Sequence, residues 1–352
     1  MEAAATERAR EIISSYSGPP IRIMEVCGTH THEIFRLGIR SLLPENARLI
    51  SGPGCPVCVT PAGFIDEAVE LALAEKAVVC TFGDLVRVPG TELSLAEARA
   101  RGGQVQIVYS PADAVSYAAE NREKEVVFLS VGFETTTPSS CLAVLAAQRQ
   151  GLSNFSLLTA NKTMDNAYRQ LKDSADAFLY PGHVCAITGT AICRRLKDEG
   201  ISGVVTGFTA AELLSAIAVT ITELKRKGPF FRNCYTRVVR EEGNPTARAV
   251  IEKTMAPCSA VWRGLGEIEG SGLALRADYS SFDARKKFTL DPAAGRANPL
   301  CRCGDVLRGR ITPFECSLFG TGCTPEHPTG ACMVSGEGAC SAWYKYGGCI
   351  KC

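Results

Sequence analysis

The sequence predicts an α/β fold with two Rossmann-like lobes built on parallel sheets, followed by a C-terminal cysteine-rich iron–sulfur domain. Three observations support this prediction. Short β-branched segments alternate with amphipathic segments of helical period before residue 228. A charged segment, residues 120–125, divides this series into two groups of four strands. Eight of the 17 cysteines fall within residues 301–352, on Gly- and Pro-rich sequence with little apolar periodicity.

The predicted strands and helices follow one another at the spacing of parallel βα units. The strands are residues 21–26, 48–51, 78–82, 105–109, 126–131, 156–159, 177–180 and 204–206. The helices predicted between them include residues 61–76, 111–122, 138–150, 164–172 and 186–199. Because crossover helices join parallel strands, this order favours two lobes of four strands each. A single barrel has the same number of βα units and stays open as an alternative.

We predict three domains from this organisation. The first α/β lobe covers residues 1–118 and carries the CGTHTH and GPGCPVC motifs. The second lobe covers residues 119–228 and carries the GFETTTP and PGHV motifs. The iron–sulfur domain covers residues 229–352, where four thiolates on irregular loops could supply the staple that weak apolar patterning requires.

Charge and hydropathy narrow the classes of partner. Lys and Arg total 38 against 37 Asp and Glu, for a net charge of +1, so we expect neither nucleic acid nor a membrane surface as partner. Residues 1–12 are charged, and no apolar run reaches the length of a membrane span. We therefore expect a soluble, cytoplasmic protein. In that reducing compartment, cysteines bind metals or catalyse reactions more often than they form disulfides.

Unusual polar residues follow the predicted strands at the point where each strand ends. They are Cys27, the pair Cys55 and Cys58, Asp84, Glu134 and His183. Ligands of open α/β sheets bind beyond the carboxyl ends of the strands, so one cleft could collect all of these side chains. For Asp84 alone, an ordinary polar loop residue is the favoured alternative.

The GPGCPVC motif places Cys55 and Cys58 between a strand and a helix. Backbone amides and the helix dipole at such a position favour thiolate, so one of these thiols is expected to have a pKa below about 8.5. Dithiol redox chemistry is the favoured interpretation. Metal ligation is the main alternative because CxxC is also half of many zinc sites. The glycines and proline around the pair argue against an inert structural role.

The CGTHTH motif brings a thiol and two imidazoles within six residues, at Cys27, His30 and His32. Such a set can ligate Fe(II) or zinc, or an imidazole can deprotonate the thiol. We expect one histidine only to cap or pack the following helix, and we favour His30 over His32 as functional. His183 lies in a rigid Pro-Gly turn and is a further catalytic candidate. Glu134 begins a segment where anions can bind, although a capping role is the simpler alternative.

Four cysteines of the C-terminal region, Cys316, Cys323, Cys332 and Cys340, are predicted to hold a 4Fe–4S cluster. Their spacing matches neither a paired CxxC zinc ribbon nor the tight ferredoxin pattern. Cys301 and Cys303 could form a dithiol beside the cluster. Cys349 and Cys352 remain without an assignment.

Several motifs in one order resemble the HypD family of hydrogenase maturation factors. They are CGTHTH, GPGCPVC, VGFETTTP, YPGHV and the tail FECSLFGTGCTPEHPTGACMVSGEGACSAWYKYG. The resemblance spans nearly the whole chain. It implies a scaffold that assembles the Fe(CN)2CO group of nickel–iron hydrogenases. The scaffold would act with a HypC-type chaperone and accept cyanide from a HypE-type donor.

The resemblance also implies residue roles, carried over by motif. Cys27 would ligate the iron precursor with His30 close by, and Cys55 and Cys58 would form a thiol pair. The cluster would be held by Cys316, Cys323, Cys332 and Cys340. The terminal pair, Cys349 and Cys352, matches no family motif.

Three functions from different classes stay open on sequence alone. The first is the assembly scaffold, in which a soft thiolate anchors low-spin iron. The second is a cluster-dependent dithiol-disulfide reductase. The third is a zinc-stapled α/β binding module. Electron transfer from a cluster to the CxxC pair would require the fold to bring the two near each other.

Overall fold

Strands of the computed structural model form two parallel sheets and one hairpin within the residues that it describes, 2–75, 77–290 and 295–349. The strands are β1 (Ile21–Glu25), β2 (Ala47–Ser51), β3 (Val78–Thr81), β4 (Val105–Ile107), β5 (Val126–Gly132), β6 (Phe155–Asn161), β7 (Ala177–Pro181), β8 (Gly203–Thr206), β9 (Phe231–Asn233), β10 (Met255–Trp262) and β11 (Gly266–Leu275). All eight predicted strands are therefore present, and β9, β10 and β11 are additional.

Helices connect the parallel strands and cover the sheets. Those of the α/β part are α1 (Glu2–Ser14), α2 (Gly28–Arg36), α3 (Ala62–Leu73), α4 (Leu95–Ala100), α5 (Pro111–Glu120), α6 (Thr137–Arg149), α7 (Asp165–Gln170), α8 (Gly182–Thr188), α9 (Ala191–Asp198) and α10 (Ala210–Lys225). The C-terminal part adds α11 (Pro245–Thr254), α12 (Ala284–Lys287), α13 (Cys303–Leu307), α14 (Ala331–Val334) and α15 (Ala339–Tyr346).

The two sheets have separate strand orders, β2-β1-β7-β8-β9 and β4-β3-β5-β6. The predicted α/β class with two parallel sheets is confirmed, and a single barrel is not what forms. Strand β5 has the sequence typical of a parallel sheet with helices on both faces, because all seven of its residues, VVFLSVG, are buried. Parallel strands that are packed on both faces have such continuous apolar sequences rather than alternating ones.

The predicted grouping of successive strands into lobes was wrong. The chain places β1 and β2 in the first sheet, β3 to β6 in the second, and then returns to the first with β7, β8 and β9. Residues 120–125 only connect α5 to β5 within the second sheet. The first sheet therefore draws on both sides of the predicted limits at 118/119 and 228/229. Long-range pairing of Ile23 with Ala177 decides this, and local sequence carries no signal for it.

One predicted helix, residues 186–199, is two helices in the structure. Helix α8 ends at Gly189, whose φ of 79° lies in the left-handed region that glycine adopts readily. Helix α9 then begins after Thr190. The first of the two, α8, starts directly after β7 and carries His183, one of the candidate site residues.

The C-terminal part combines a hairpin with irregular, cysteine-rich sequence. Strands β10 and β11 pair antiparallel, and Gly272 of β11 forms a bridge with Lys162 just after β6. Beyond the hairpin the helices are short, with α13 and α14 spanning five and four residues. No helix among the described residues is both long enough and apolar enough to cross a bilayer.

Candidate functional site

Cys27 and the GPGCPVC loop meet at the carboxyl edge of the first sheet. Cys27 follows β1 and precedes α2, and the loop follows the neighbouring strand β2. The backbone N–H of Gly28 donates to the carbonyl of Gly54 at 3.1 Å. A Cβ on Gly54 would lie 2.0 Å from the backbone nitrogen of Cys27, so only glycine fits there. The parallel pairing of β1 with β2 therefore sets both motifs side by side.

The Cys27 thiol faces an imidazole from a distant part of the chain. Its Sγ lies 3.7 Å from Nε2 of His183, which follows β7, the other neighbour of β1. Burial raises the pKa of Cys27 to about 12, and the amides of His30 and Thr29 offset this only in part. Burial also lowers the pKa of His183 to about 4. The pair is therefore a neutral thiol beside a neutral imidazole.

His30 and His183 both contact one aromatic ring. Phe208 stacks on His183 at 5.0 Å between ring centroids and meets the ring of His30 at a tilt, at 4.8 Å. Nε2 of His30 donates to the carbonyl of Gly207 at 3.0 Å, whereas its buried Nδ1 has no partner within the described part of the chain. Burial first, and then the charge of His183, lower the pKa of His30 to about 3. His30 is therefore a neutral imidazole with a free nitrogen.

His32 has a different environment, on the side of α2 that meets the C-terminal part. Its Nδ1 lies 3.3 Å from the carbonyl of Gly336, and its ring meets Tyr346 edge-on at 5.6 Å. Through these contacts His32 connects α2 to the C-terminal part, and its side chain also lines the cleft described next.

A cleft of about 600 Å³ opens between the two sheets and the C-terminal part. Its lining residues come from the strand ends of both sheets and from the loop before α15, and they include Thr29, Cys55, Asp84, Thr136 and Glu337. The single cleft expected from the strand-end rule is therefore only partly correct. Cys55 and Asp84 line the cleft, whereas the other residues assigned to it, Cys27, Cys58, Glu134 and His183, are not among its lining residues.

Glu337 is a cleft residue that the sequence did not single out. Its Oε1 accepts a hydrogen bond from the Thr29 hydroxyl at 2.7 Å, and it contributes to the raised pKa of Cys27, after burial. It lies more than 300 residues from Cys27 in sequence, so no local pattern could have linked the two.

The Cys55 and Cys58 pair lies between the cleft and the C-terminal cysteines. The N–H of Cys58 donates to Sγ of Cys55 at 3.4 Å, and Cys55 lines the cleft. Hydrogen bonds with Cys332 and then Cys55, together with burial, raise the pKa of Cys58 well above its usual value. The sequence predicted a lowered pKa for one thiol of this pair, and Cys58 is not that thiol. Helix α3 begins only at Ala62, so Cys58 does not lie in its first turn.

The four predicted cluster cysteines line a single cavity. Cys316, Cys323, Cys332 and Cys340 share it with Cys301 and Cys303, and its other walls are mainly apolar. The Cys332 thiol interacts with those of Cys303, Cys340 and Cys58, and Cys58 Sγ lies 4.0 Å from the carbonyl oxygen of Ala331, the residue before Cys332. Neither Cys352 nor the side chain of Cys349 belongs to the described part of the chain.

The cysteine cavity could hold either a single zinc ion or a 4Fe–4S cluster, and the two groups require different arrangements of ligands. A single zinc ion needs ligands that converge at about 2.3 Å, and no three His, Cys, Asp or Glu side chains among the described residues converge in that way. A 4Fe–4S cube is instead held at its separate corners by thiolates around a water-poor space. Four thiols on loops and short helices around a mainly apolar cavity fit the cube better than the ion.

Glu134 lies in a buried layer behind the strand ends. Its Oε1 accepts the N–H of Met164 at 2.9 Å, while Oε2 has no partner within the described part of the chain. Burial raises the pKa of Glu134 to about 7. Helix α6 begins only at Thr137, so this carboxyl group does not cap its first turn.

Fold and site together define a thiol-rich α/β protein whose side chains suit soft-metal chemistry. A model of the family described as "HypD: Hydrogenase formation hypA family" matches residues 3–347. The chain is 43% identical over 355 residues to hydrogenase maturation factor HypD of Rhodobacter capsulatus, covering 98% of this chain and 94% of the relative. It is 44% identical to the Escherichia coli K12 protein of the same name, covering 97% and 92%. The chain belongs to the HypD family.

Proposed function

We propose that this chain is the scaffold on which the Fe(CN)2CO group of a nickel–iron hydrogenase is assembled. It would hold iron at Cys27, act with a HypC-type chaperone and accept cyanide from a HypE-type donor. The observation that carries this proposal is the Cys27 thiol, set 3.7 Å from His183 at a sheet edge shared with the Cys55 and Cys58 pair. Family membership supports the hydrogenase context.

Cys27 is suited to anchor the iron substrate because thiolate is a soft ligand that tolerates low-spin iron. Its thiol must lose a proton when iron binds, since burial holds its pKa at about 12. The neutral imidazole of His183 can take that proton at Nε2. His30 offers an unpartnered Nδ1 from the same helix start as a second nitrogen donor or hydrogen-bond acceptor.

The C-terminal cysteines support a redox role. A 4Fe–4S cluster held by Cys316, Cys323, Cys332 and Cys340 would supply one-electron chemistry when bound. Cys58 contacts Cys332, and Cys55 lines the cleft, so the CxxC pair connects the two regions. In its reduced state this dithiol carries two electrons and two protons at the cleft wall. This contact supports electron transfer between the cysteine cavity and the CxxC pair.

The same contact favours a second candidate function, a cluster-dependent dithiol-disulfide reductase. In that case Cys55 would attack a disulfide of another protein from the cleft. The reductase would need Cys55 and Cys58 but would work without Cys27, whereas the scaffold needs Cys27 first.

The test compares Cys27→Ser with Cys234→Ser, a control at a half-buried cysteine after β9. Each protein is purified anaerobically with the HypC-type chaperone, and iron-bound CO and CN stretching bands are recorded in the infrared. We expect the bands to vanish in Cys27→Ser, because a neutral hydroxyl is a poor ligand for soft iron, and to persist in Cys234→Ser. A full set of bands in Cys27→Ser would exclude Cys27 as the anchor.

A further inference from the structure

A second pair of thiols, outside the motifs discussed above, lies directly behind His183. Cys185 Sγ and Cys193 Sγ are 3.9 Å apart, and both residues are buried. Cys185 lies on α8 and Cys193 on α9, the two helices separated by Gly189 and Thr190. Two thiols on consecutive short helices, in van der Waals contact, form a candidate for a disulfide rather than an accidental pair of core residues.

The pair lies in a layer that contains unpartnered polar atoms. The carboxyl group of Glu134 and the phenols of Tyr168 and Tyr180 are within electrostatic range of Cys185. Among the described residues, Glu134 Oε2 and the Tyr180 hydroxyl are buried without hydrogen-bond partners. Buried polar atoms without partners are costly in an apolar core, so this layer is not simple packing. Such atoms can accept the hydrogen bond of an oxidised sulfur.

We propose that Cys185 and Cys193 are a reversible disulfide site that a peroxide oxidises. In the first step the Cys185 thiol gives sulfenic acid and water with hydrogen peroxide. In the second, the Cys193 thiol displaces the sulfenic hydroxyl as water, and the sulfur–sulfur bond forms. The two thiols lose two electrons and two protons, and one peroxide becomes two waters. A dithiol reductant restores both thiols.

Disulfide formation would move the start of α8. A sulfur–sulfur bond of about 2.05 Å requires the two atoms, now 3.9 Å apart, to approach each other. Helix α8 has only seven residues, so side-chain rotation together with a small shift of the helix toward α9 can bring the two sulfur atoms together. His183 lies two residues before Cys185 on the same helix, and its Nε2 is 3.7 Å from Cys27 Sγ. We therefore expect oxidation to withdraw the imidazole from Cys27, a consequence that rests on the proposed function of Cys27.

The first experiment detects the bond itself. The full-length protein is treated with stoichiometric hydrogen peroxide, desalted, unfolded, alkylated and digested with trypsin. Residues 173–194 form one tryptic peptide that holds Cys185, Cys193 and no other cysteine. We expect this peptide to become lighter by two hydrogen atoms, to resist alkylation and to recover both thiols after reduction. The peptide of residues 77–87, whose single cysteine is the buried Cys80, is the control and should remain alkylatable.

The second experiment measures the link to Cys27 with the variant Cys193→Ser. The rate of Cys27 alkylation in the folded protein is followed on the tryptic peptide of residues 23–36, in which it is the single cysteine. Prior oxidation should lower this rate in the wild type, because the withdrawn His183 no longer takes the proton of the Cys27 thiol, and should leave it unchanged in Cys193→Ser. The reduced variant should keep the infrared bands of the assembled iron group.

Two outcomes would overturn the inference. Full alkylation of both thiols in the 173–194 peptide after peroxide treatment would remove the disulfide. An equal change in Cys27 reactivity in wild type and Cys193→Ser would remove the coupling. Loss of the infrared bands in Cys27→Ser alone bears on the proposed function and not on this pair, so the two failures are distinguishable.

Discussion

The cleft and the cysteine cavity position their sulfur atoms in two different ways. Beside the cleft, Cys27 is fixed by regular structure, because strand pairing and the close approach of Gly54 determine where its backbone lies. In the cavity, Cys316 and Cys323 lie outside the α-helices and strands, and Cys332 and Cys340 lie on short helices. The fold therefore preforms the first site, whereas we expect the second to need the proposed cluster to hold its segments together.

The largest expected effect is on the cavity. Cys332→Ala should abolish the charge-transfer absorption of a 4Fe–4S centre and make the region after residue 300 sensitive to protease, because a corner of the cube loses its ligand. Iron, sulfide and visible absorption are measured after anaerobic purification. Cys234→Ala is the control and should retain all three. Normal iron and sulfide in Cys332→Ala would mean that this cysteine is not a ligand.

A smaller but still large effect is expected at the buried ion pair that joins β1 to β2. The guanidinium of Arg40 donates to the Glu25 carboxylate, to Ser51 Oγ at 2.9 Å and to the carbonyl of Leu49. Arg40→Leu leaves a buried carboxylate unpaired and should cost about 3–5 kcal/mol in the free energy of unfolding. Urea denaturation of the α/β part measures this loss.

The exposed pair of Arg194 and Glu241 provides the matched control for that variant. Arg194→Leu should change stability by less than about 1 kcal/mol, because exposed ion pairs contribute little. If both variants lost the same stability, the buried ion pair of Arg40 and Glu25 would not be part of the preformed scaffold.

Gly54→Ala tests the preformed cleft more locally. The added methyl group would meet the Cys27 backbone at 2.0 Å, so we expect a loss of about 1–3 kcal/mol from forced backbone shifts. Gly83→Ala is the control, because a Cβ there meets no atom within 4 Å although the residue lines the same cleft. Thermal unfolding of both variants decides the comparison, and equal stability would refute the close-approach argument.

The smallest effect concerns reactivity across the boundary between the two regions. Cys55 lines the cleft, whereas hydrogen bonds with Cys332 and Cys55 keep the pKa of Cys58 well above its usual value. In metal-free protein at neutral pH, we expect iodoacetamide to modify Cys55 before Cys58. Raising the pH should accelerate the Cys58 reaction as its thiol ionises. Peptide mass analysis of single Cys55→Ser and Cys58→Ser variants gives each rate, and faster Cys58 alkylation would contradict the contact with Cys332.

Sequence patterns located the strands and much of the cleft, because both are encoded locally. Apolar runs marked strands such as β5, and the strand-end rule collected Cys27, Cys55 and His183 near one sheet edge. The grouping of strands failed because the pairing of β1 with β7 spans some 150 residues. Contacts such as Thr29 with Glu337 and Cys58 with Cys332 failed to appear for the same reason. The functional roles of these residues stay predictions.

The return of the chain to its first sheet has a consequence for synthesis on the ribosome. Strands β3 to β6 are contiguous, from Val78 to Asn161, so the second sheet can fold while the chain is still growing. Strands β1 and β2 emerge first but lack their neighbour until Ala177–Pro181 has been made. Cys27 is therefore without the imidazole of His183 on every shorter nascent chain. If Cys27 and His183 act together on iron as proposed above, their site is complete only after residue 183 has been made.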